Sequence, residues 1–280
     1  MAAVLAGLVL LAGAGPAGAE TTLEKIARTG TFVVGTRTGS PPFGFIDKQK
    51  QWVGFSVDLA KLVHARVETK VGKPVRLQLK ESTPATRITL LNNVTVDLIA
   101  GTMTITRTRR ELVDFSIVFF VTGAQFLVKR GSPFRSVRDI AGKRIGVQQG
   151  STNETVLREK HPQAQLVVFP DQPAAFAALA EGKIDAYTND GVQLAGLKAK
   201  AASPDDWDVV GEFFTYEPYG MAMRKNDSAF RNVVDGALMA AIESGEYQKL
   251  YDKWFGPRGE VPYPLSESAR IFMQLQVVPR

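Results

Sequence analysis

The sequence predicts an α/β protein of two lobes, joined by a hinge of two strands, with a ligand cleft between them. Three observations predict it. Short β-branched runs alternate with helical periodicities, the pattern of parallel strands joined by crossover helices. That alternation occurs twice within the 280 residues. Between the two rounds lies FSIVFFVTGAQFLVKR, an extended run that reads as a strand passing from one lobe to the other. A return passage near 214–220 completes a hinge, since two crossings constrain the lobes more than one.

Each element has its own signal. LEKIARTG reads as a short helix stopped by Gly30, and TFVVGTR as a strand. GSPPFGFID is a Pro/Gly loop. Phe55, Leu59, Leu62 and Val63 fall at helical spacing in the next segment. VRLQLKES alternates as a strand, ATRITLLNN is a short helix, and VDLIAG is a buried strand. In the second round RIGVQQG, AQLVVF and IDAY are strands, while STNETVLREKH, QPAAFAALAEG and GVQLAGLKAKA are helices. WDVVGEF and YGMAMRK are strands, and a long helical region from Ser228 breaks near Gly245. A last helix is expected over Glu267–Leu275. These signals put lobe 1 at 20–121 and 219–280, and lobe 2 at 122–218. Asp58, on the first amphipathic helix, reads as a solvated charge.

Composition narrows the function. Without cysteine there is no disulfide, thiol nucleophile or cysteine-ligated zinc. The net charge of +6 is scattered, with no basic block, so nucleic-acid binding is not expected. The two histidines are far apart and form no metal motif, and no cofactor or metal is expected. Residues 1–19 are apolar and end in Ala17-Gly18-Ala19, a cleavage-site pattern that predicts a signal peptide and a mature chain from Glu20. The apolar core of that leader falls short of the ~20 residues a membrane span needs.

In open α/β sheets ligands sit beyond the carboxyl ends of strands. Four segments leave such ends: Thr36 to Ser40, the run GTMTITRTRR from Gly101 to Arg110, Gln149 to Thr152, and Thr188 to Asp190. Together they offer arginines, hydroxyls, a helix start and a carboxylate. That set suits a zwitterion. A guanidinium fork and helix N–H groups receive a carboxylate, and hydroxyls, carbonyls and a carboxylate receive an ammonium.

The same segments, with VGFSVDLA, EGKIDAYTND, PYGMAMRK and SGEYQKLYDKWFG, resemble the periplasmic solute-binding proteins of polar amino-acid ABC transporters. They are most similar to the glutamate/aspartate branch. The resemblance runs from about Leu23 to Gly256. It implies a type II periplasmic binding fold, a periplasmic monomer and an ABC permease as partner. It implies transport rather than catalysis. By that resemblance Arg109, Thr104, Ser151 and Thr152 hold the ligand α-carboxylate, and Thr102 and Asp190 its ammonium. Phe43 and Phe120 are cleft walls. Arg37 and Arg87 face the second carboxylate of L-glutamate or L-aspartate. Gln172 replaces a histidine frequent in that branch, which keeps glutamine and asparagine as alternatives. Cyclohexadienyl dehydratases share a similar fold, but no general acid stands out here.

Overall fold

The structure, a computed structural model, describes residues 20–279. The expected leader lies outside them. Helix α1 (Thr22–Thr29) opens with a capping box between Thr21 and Glu24 and ends at Gly30, whose φ of 63° is left-handed. It leads into β1 (Thr31–Thr36). Where a loop was expected, β2 (Gly39–Ser40), β3 (Gly44–Ile46) and β4 (Trp52–Val53) form a small antiparallel sheet. Then follow α2 (Phe55–Val71), β5 (Arg76–Glu81), α3 (Arg87–Asn92), β6 (Leu98–Ile99), α4 (Arg107–Leu112) and β7 (Asp114–Thr122).

Lobe 2 comprises β8 (Ala124–Lys129), β9 (Arg144–Gln148), α5 (Thr152–Lys160), β10 (Gln165–Phe169), α6 (Gln172–Ala180), β11 (Ala186–Asp190), α7 (Gly191–Lys200) and β12 (Trp207–Val210). The chain returns through β13 (Glu217–Met223) to α8 (Ser228–Glu243), α9 (Glu246–Phe255) and α10 (Glu267–Leu275). The two main sheets have the orders β5-β1-β6-β13-β7 and β10-β9-β11-β8-β12. β1, β5 and β6 are parallel, as are β9, β10 and β11, but β13 and β8 run against them. These two strands come straight from the hinge with no crossover helix to reverse them.

The expected crossing strand is interrupted at Gly123, which divides it between the two sheets. A Cβ there would lie 2.5 Å from the Thr215 carbonyl oxygen of the return passage. Glycine lets the two hinge segments touch. The Ala124 N–H then donates to Thr215 Oγ1 at 2.9 Å.

Lobe 1 is built on an aromatic core. Phe43 meets Phe120 edge to face at 4.9 Å and Tyr219 at 5.4 Å, and Phe55 and Phe255 join them. Phe43 and Phe120 therefore do not wall the cleft, as the resemblance implied. Both are buried beneath it. The reason is packing: Phe43 lies against Phe55 and Phe255, and Phe120 against Phe55, Tyr251 and Phe255. Asp58 also departs from expectation. It is buried and accepts from Lys61, Lys253 and the Trp254 indole.

The C-terminal segment packs on lobe 1. The Gln276 side-chain amide donates to the Val118 carbonyl and accepts from the Val118 N–H, each at 2.8 Å, along the free edge of β7. Among the described residues no helix is long and apolar enough to cross a membrane. Truncating Phe43 to alanine is expected to cost about 3–5 kcal/mol in denaturant unfolding, the usual range for a buried aromatic. A cost under about 1 kcal/mol, as for a surface change, would return Phe43 to the cleft wall.

Candidate functional site

The cleft is built where strands of both lobes end. On the lobe 1 side three guanidinium groups converge. Arg37 directly follows β1 and is buried; its Nε donates to Ser40 Oγ at 3.1 Å and its Nη1 to the Ser82 carbonyl at 3.2 Å. Arg87 opens α3 and is also buried; its Nη1 donates to the Thr102 carbonyl at 3.0 Å, and its Nε has no partner. Arg109 sits on α4, capped by Thr106, and is half-buried. It donates to the Thr104 carbonyl at 2.9 Å and, across the cleft, to the Gly150 carbonyl at 3.2 Å.

None of the three guanidinium groups pairs with a described carboxylate: their hydrogen bonds go to carbonyl and hydroxyl oxygens. Burial draws Arg37 down to about 10. Arg87 is held well below its ordinary value by burial and then by the positive charges of Arg109 and Arg37. Burial lowers Arg109 too, against the opposing pull of Glu217 and Asp190.

Lobe 2 supplies the other wall. Ser151 caps α5, and its hydroxyl accepts from the Glu154 N–H at 3.1 Å. Its own N–H goes to the Gln148 carbonyl at 3.1 Å, so Ser151 does not offer that N–H to a ligand in this conformation. Gln172 is fully buried at the start of α6 and donates to Ser40 Oγ at 2.8 Å and Gln193 Oε1 at 2.6 Å. Arg37, Ser40 and Gln172 thus gather at one end of the cleft.

Asp190 ends β11 and accepts from Asn153 at 3.2 Å, from Gln193 at 3.0 Å and from the Tyr219 hydroxyl. Burial, then the negative charge of Glu217, push its carboxyl up to about 7, against the lowering effect of these hydrogen bonds.

Glu217 was not foreseen. It is 1% exposed, and its Oε2 accepts from Thr104 Oγ1 of lobe 1 and Thr152 Oγ1 of lobe 2. A lone carboxylate in the apolar hinge run FFTYEPYG was its signal in the sequence, because a charge held there needs partners. The Thr104 segment is fastened to β13 by a bridge between Thr104 and Tyr219, which brings the threonine up to Glu217. Tyr219 belongs to the aromatic core by its ring and to the cleft by its hydroxyl.

The space lined by Arg87, Thr102, Thr104, Ser151, Thr152 and Asp190 is about 20 Å³, room for roughly one water. Arg109, Arg37 and Gln172 do not line it: Arg109 reaches the Thr104 carbonyl, and Arg37 and Gln172 meet at Ser40 Oγ. The two lobes meet around this space.

Comparisons with known proteins point to one family. The chain is similar to the glutamate/aspartate import solute-binding protein of Salmonella typhimurium, 36% identical over 89% of this chain and 84% of that one. It is 34% identical to the ABC transporter glutamine-binding protein of Bacillus subtilis, over 89% and 93% of the two chains. The crystal structure of an ancestral amino acid-binding protein, a precursor of cyclohexadienyl dehydratase, matches with a TM-score of 0.75 and 34% identity, over 84% of this chain and 100% of that one. Residues 32–257 match the family model of bacterial extracellular solute-binding proteins, family 3. Two lobes, a two-strand hinge and a polar interlobe cleft accompany that match, and the chain belongs to this family.

Proposed function

We propose that this amino-acid-binding protein captures L-glutamate or L-aspartate outside the cytoplasm and hands it to the permease of an ABC importer. The observation that carries the reading is the set of three guanidinium groups, none paired with a carboxylate, one of them with a buried Nε that has no partner. Among buried groups the site sets two carboxylates, Asp190 and Glu217, against these three cations, while Glu81 and Asp171 act on Arg37 from less buried positions. Within the first set the excess is positive. A dicarboxylic amino acid carries one net negative charge and balances it, whereas a neutral amide leaves a buried cation uncompensated.

The resemblance to the family orients the ligand. Arg109 receives the α-carboxylate, Asp190 the ammonium, and Arg87 with Arg37 the second carboxylate. Thr102, Thr104, Ser151, Thr152 and Gln172 complete the shell. A dehydratase would need a free proton donor in the cleft. The relatives compared above are binding proteins of transport systems, which favours binding over catalysis.

Calorimetric titration of refolded, ligand-stripped protein tests the reading. Micromolar binding, about −8 kcal/mol, is expected for the two dicarboxylates and not for glutamine or asparagine. Tight binding confined to the amides would overturn the acidic assignment. Arg109→Ala is expected to lose about 3–5 kcal/mol, which takes binding below detection. Arg87→Met should shift preference from the dicarboxylates towards the amides.

The raised carboxyl of Asp190 gives a pH test. The unfolded chain releases that proton near the ordinary value of 3.8, and the folded protein holds it to about 7. Its contribution to stability is thus full below 3.8 and lost as pH rises to about 7. Melting curves of ligand-free protein across this range should show a fall with pH that Asp190→Asn flattens. An unchanged slope in that variant would remove Asp190 as its source.

A further inference from the structure

Helix α7 of lobe 2 carries a glycine in its middle, Gly196, with helical geometry and no left-handed φ to require it. Glycine is a poor helix residue, so its presence there calls for a cause. The cause lies in the other lobe. A Cβ at Gly196 would stand 2.1 Å from the carbonyl oxygen of Pro41, 2.7 Å from its carbonyl carbon and 3.2 Å from Cδ of Pro42. These three nearest atoms all belong to lobe 1, and the first two are backbone, which cannot rotate away.

The same rim of α7 carries a second interlobe contact. Lys200 is one turn on, on the same face, and pairs with Glu260 of the lobe 1 tail while lying 5.1 Å over the ring of Phe45.

We propose that Gly196 is the stop that sets how far lobe 2 closes on lobe 1, and so how firmly the cleft grips its ligand. The inference rests on the reading that the lobes close on an amino acid. An alanine here meets nothing closer within its own lobe and suits a helix better. It should therefore leave lobe 2 intact and prevent only full closure. Gly39 offers a graded comparison. A Cβ there would meet ring carbons of Pro173, in lobe 2, at 3.0 and 3.2 Å, a contact that a puckering ring can relieve. Gly150 also touches lobe 1, but its φ of 73° would add backbone strain to any substitution and confuse the result.

The test uses the absence of cysteine, which allows two clean spin labels. Gln49→Cys in lobe 1 and Gln163→Cys in lobe 2 are exposed positions. Interlobe distances are measured by pulsed electron resonance in wild type, Gly196→Ala and Gly39→Ala, alone and with L-glutamate, L-aspartate or L-glutamine. Titrations and melting temperatures are taken in parallel on unlabelled protein. Wild type should gain a short-distance component with its ligand. Gly196→Ala should lack that component, bind at least about 100-fold more weakly, and melt without ligand at the same temperature or higher. Gly39→Ala should show a smaller loss.

A Gly196→Ala protein that closes and binds like wild type would overturn the proposal. So would one whose weaker binding comes with a lower ligand-free melting temperature, since that would place the role of Gly196 inside lobe 2. A wild-type protein that gains no short component with any of the three amino acids would instead overturn the closure reading itself, and the proposal with it.

Discussion

Cations buried without anions are the constraint around which this molecule is arranged. Arg37, Arg87 and Arg109 stand at the ends of lobe 1 elements with only carbonyl and hydroxyl oxygens as partners. Such oxygens orient a guanidinium but do not neutralise it. The counter-charge comes from elsewhere, Asp190 from lobe 2 and Glu217 from the hinge. The two lobes and the hinge thus contribute opposite charges to one cleft.

The hinge makes that arrangement possible. Gly123 lets the two passages touch, and Glu217 stands at the first position of the returning strand, where hydroxyls from both lobes reach it. Tyr219, two residues on, extends the rigid aromatic core into the cleft and presents its hydroxyl to Asp190. The core of one lobe is therefore in direct contact with the buried carboxylate Asp190 of the other. A change of packing at Phe120 or Phe43 has a short path to the site, though neither ring lines it.

Most of the fold was legible because its signals are local. The Gly30 stop, the break at Gly245 and the span of the last helix depend on neighbours within a few residues. The site was legible as a set of strand ends rich in arginine and threonine, and the structure brings Arg87, Thr102, Thr104, Ser151, Thr152 and Asp190 around one space. What could not be read depends on contacts distant in sequence. A phenylalanine beside a loop can face a cleft or a core, and Phe43 took the core because Phe255, over two hundred residues away, packs on it. Asp58 looked solvated until Lys253 and Trp254 arrived from α9. Glu217 carried a signal, a charge in an apolar run, but nothing in the sequence told which hydroxyls would answer it.

The family match ends at residue 257, yet the chain continues and does something for lobe 1. Strand β7 lies at the edge of its sheet, and the Gln276 amide fills both the donor and acceptor of Val118 as a neighbouring strand would. An uncovered edge is a template on which a second polypeptide can add its own strand. The tail beyond the family boundary thus closes part of that edge, and a second strand could pair at Val118 only by displacing Gln276.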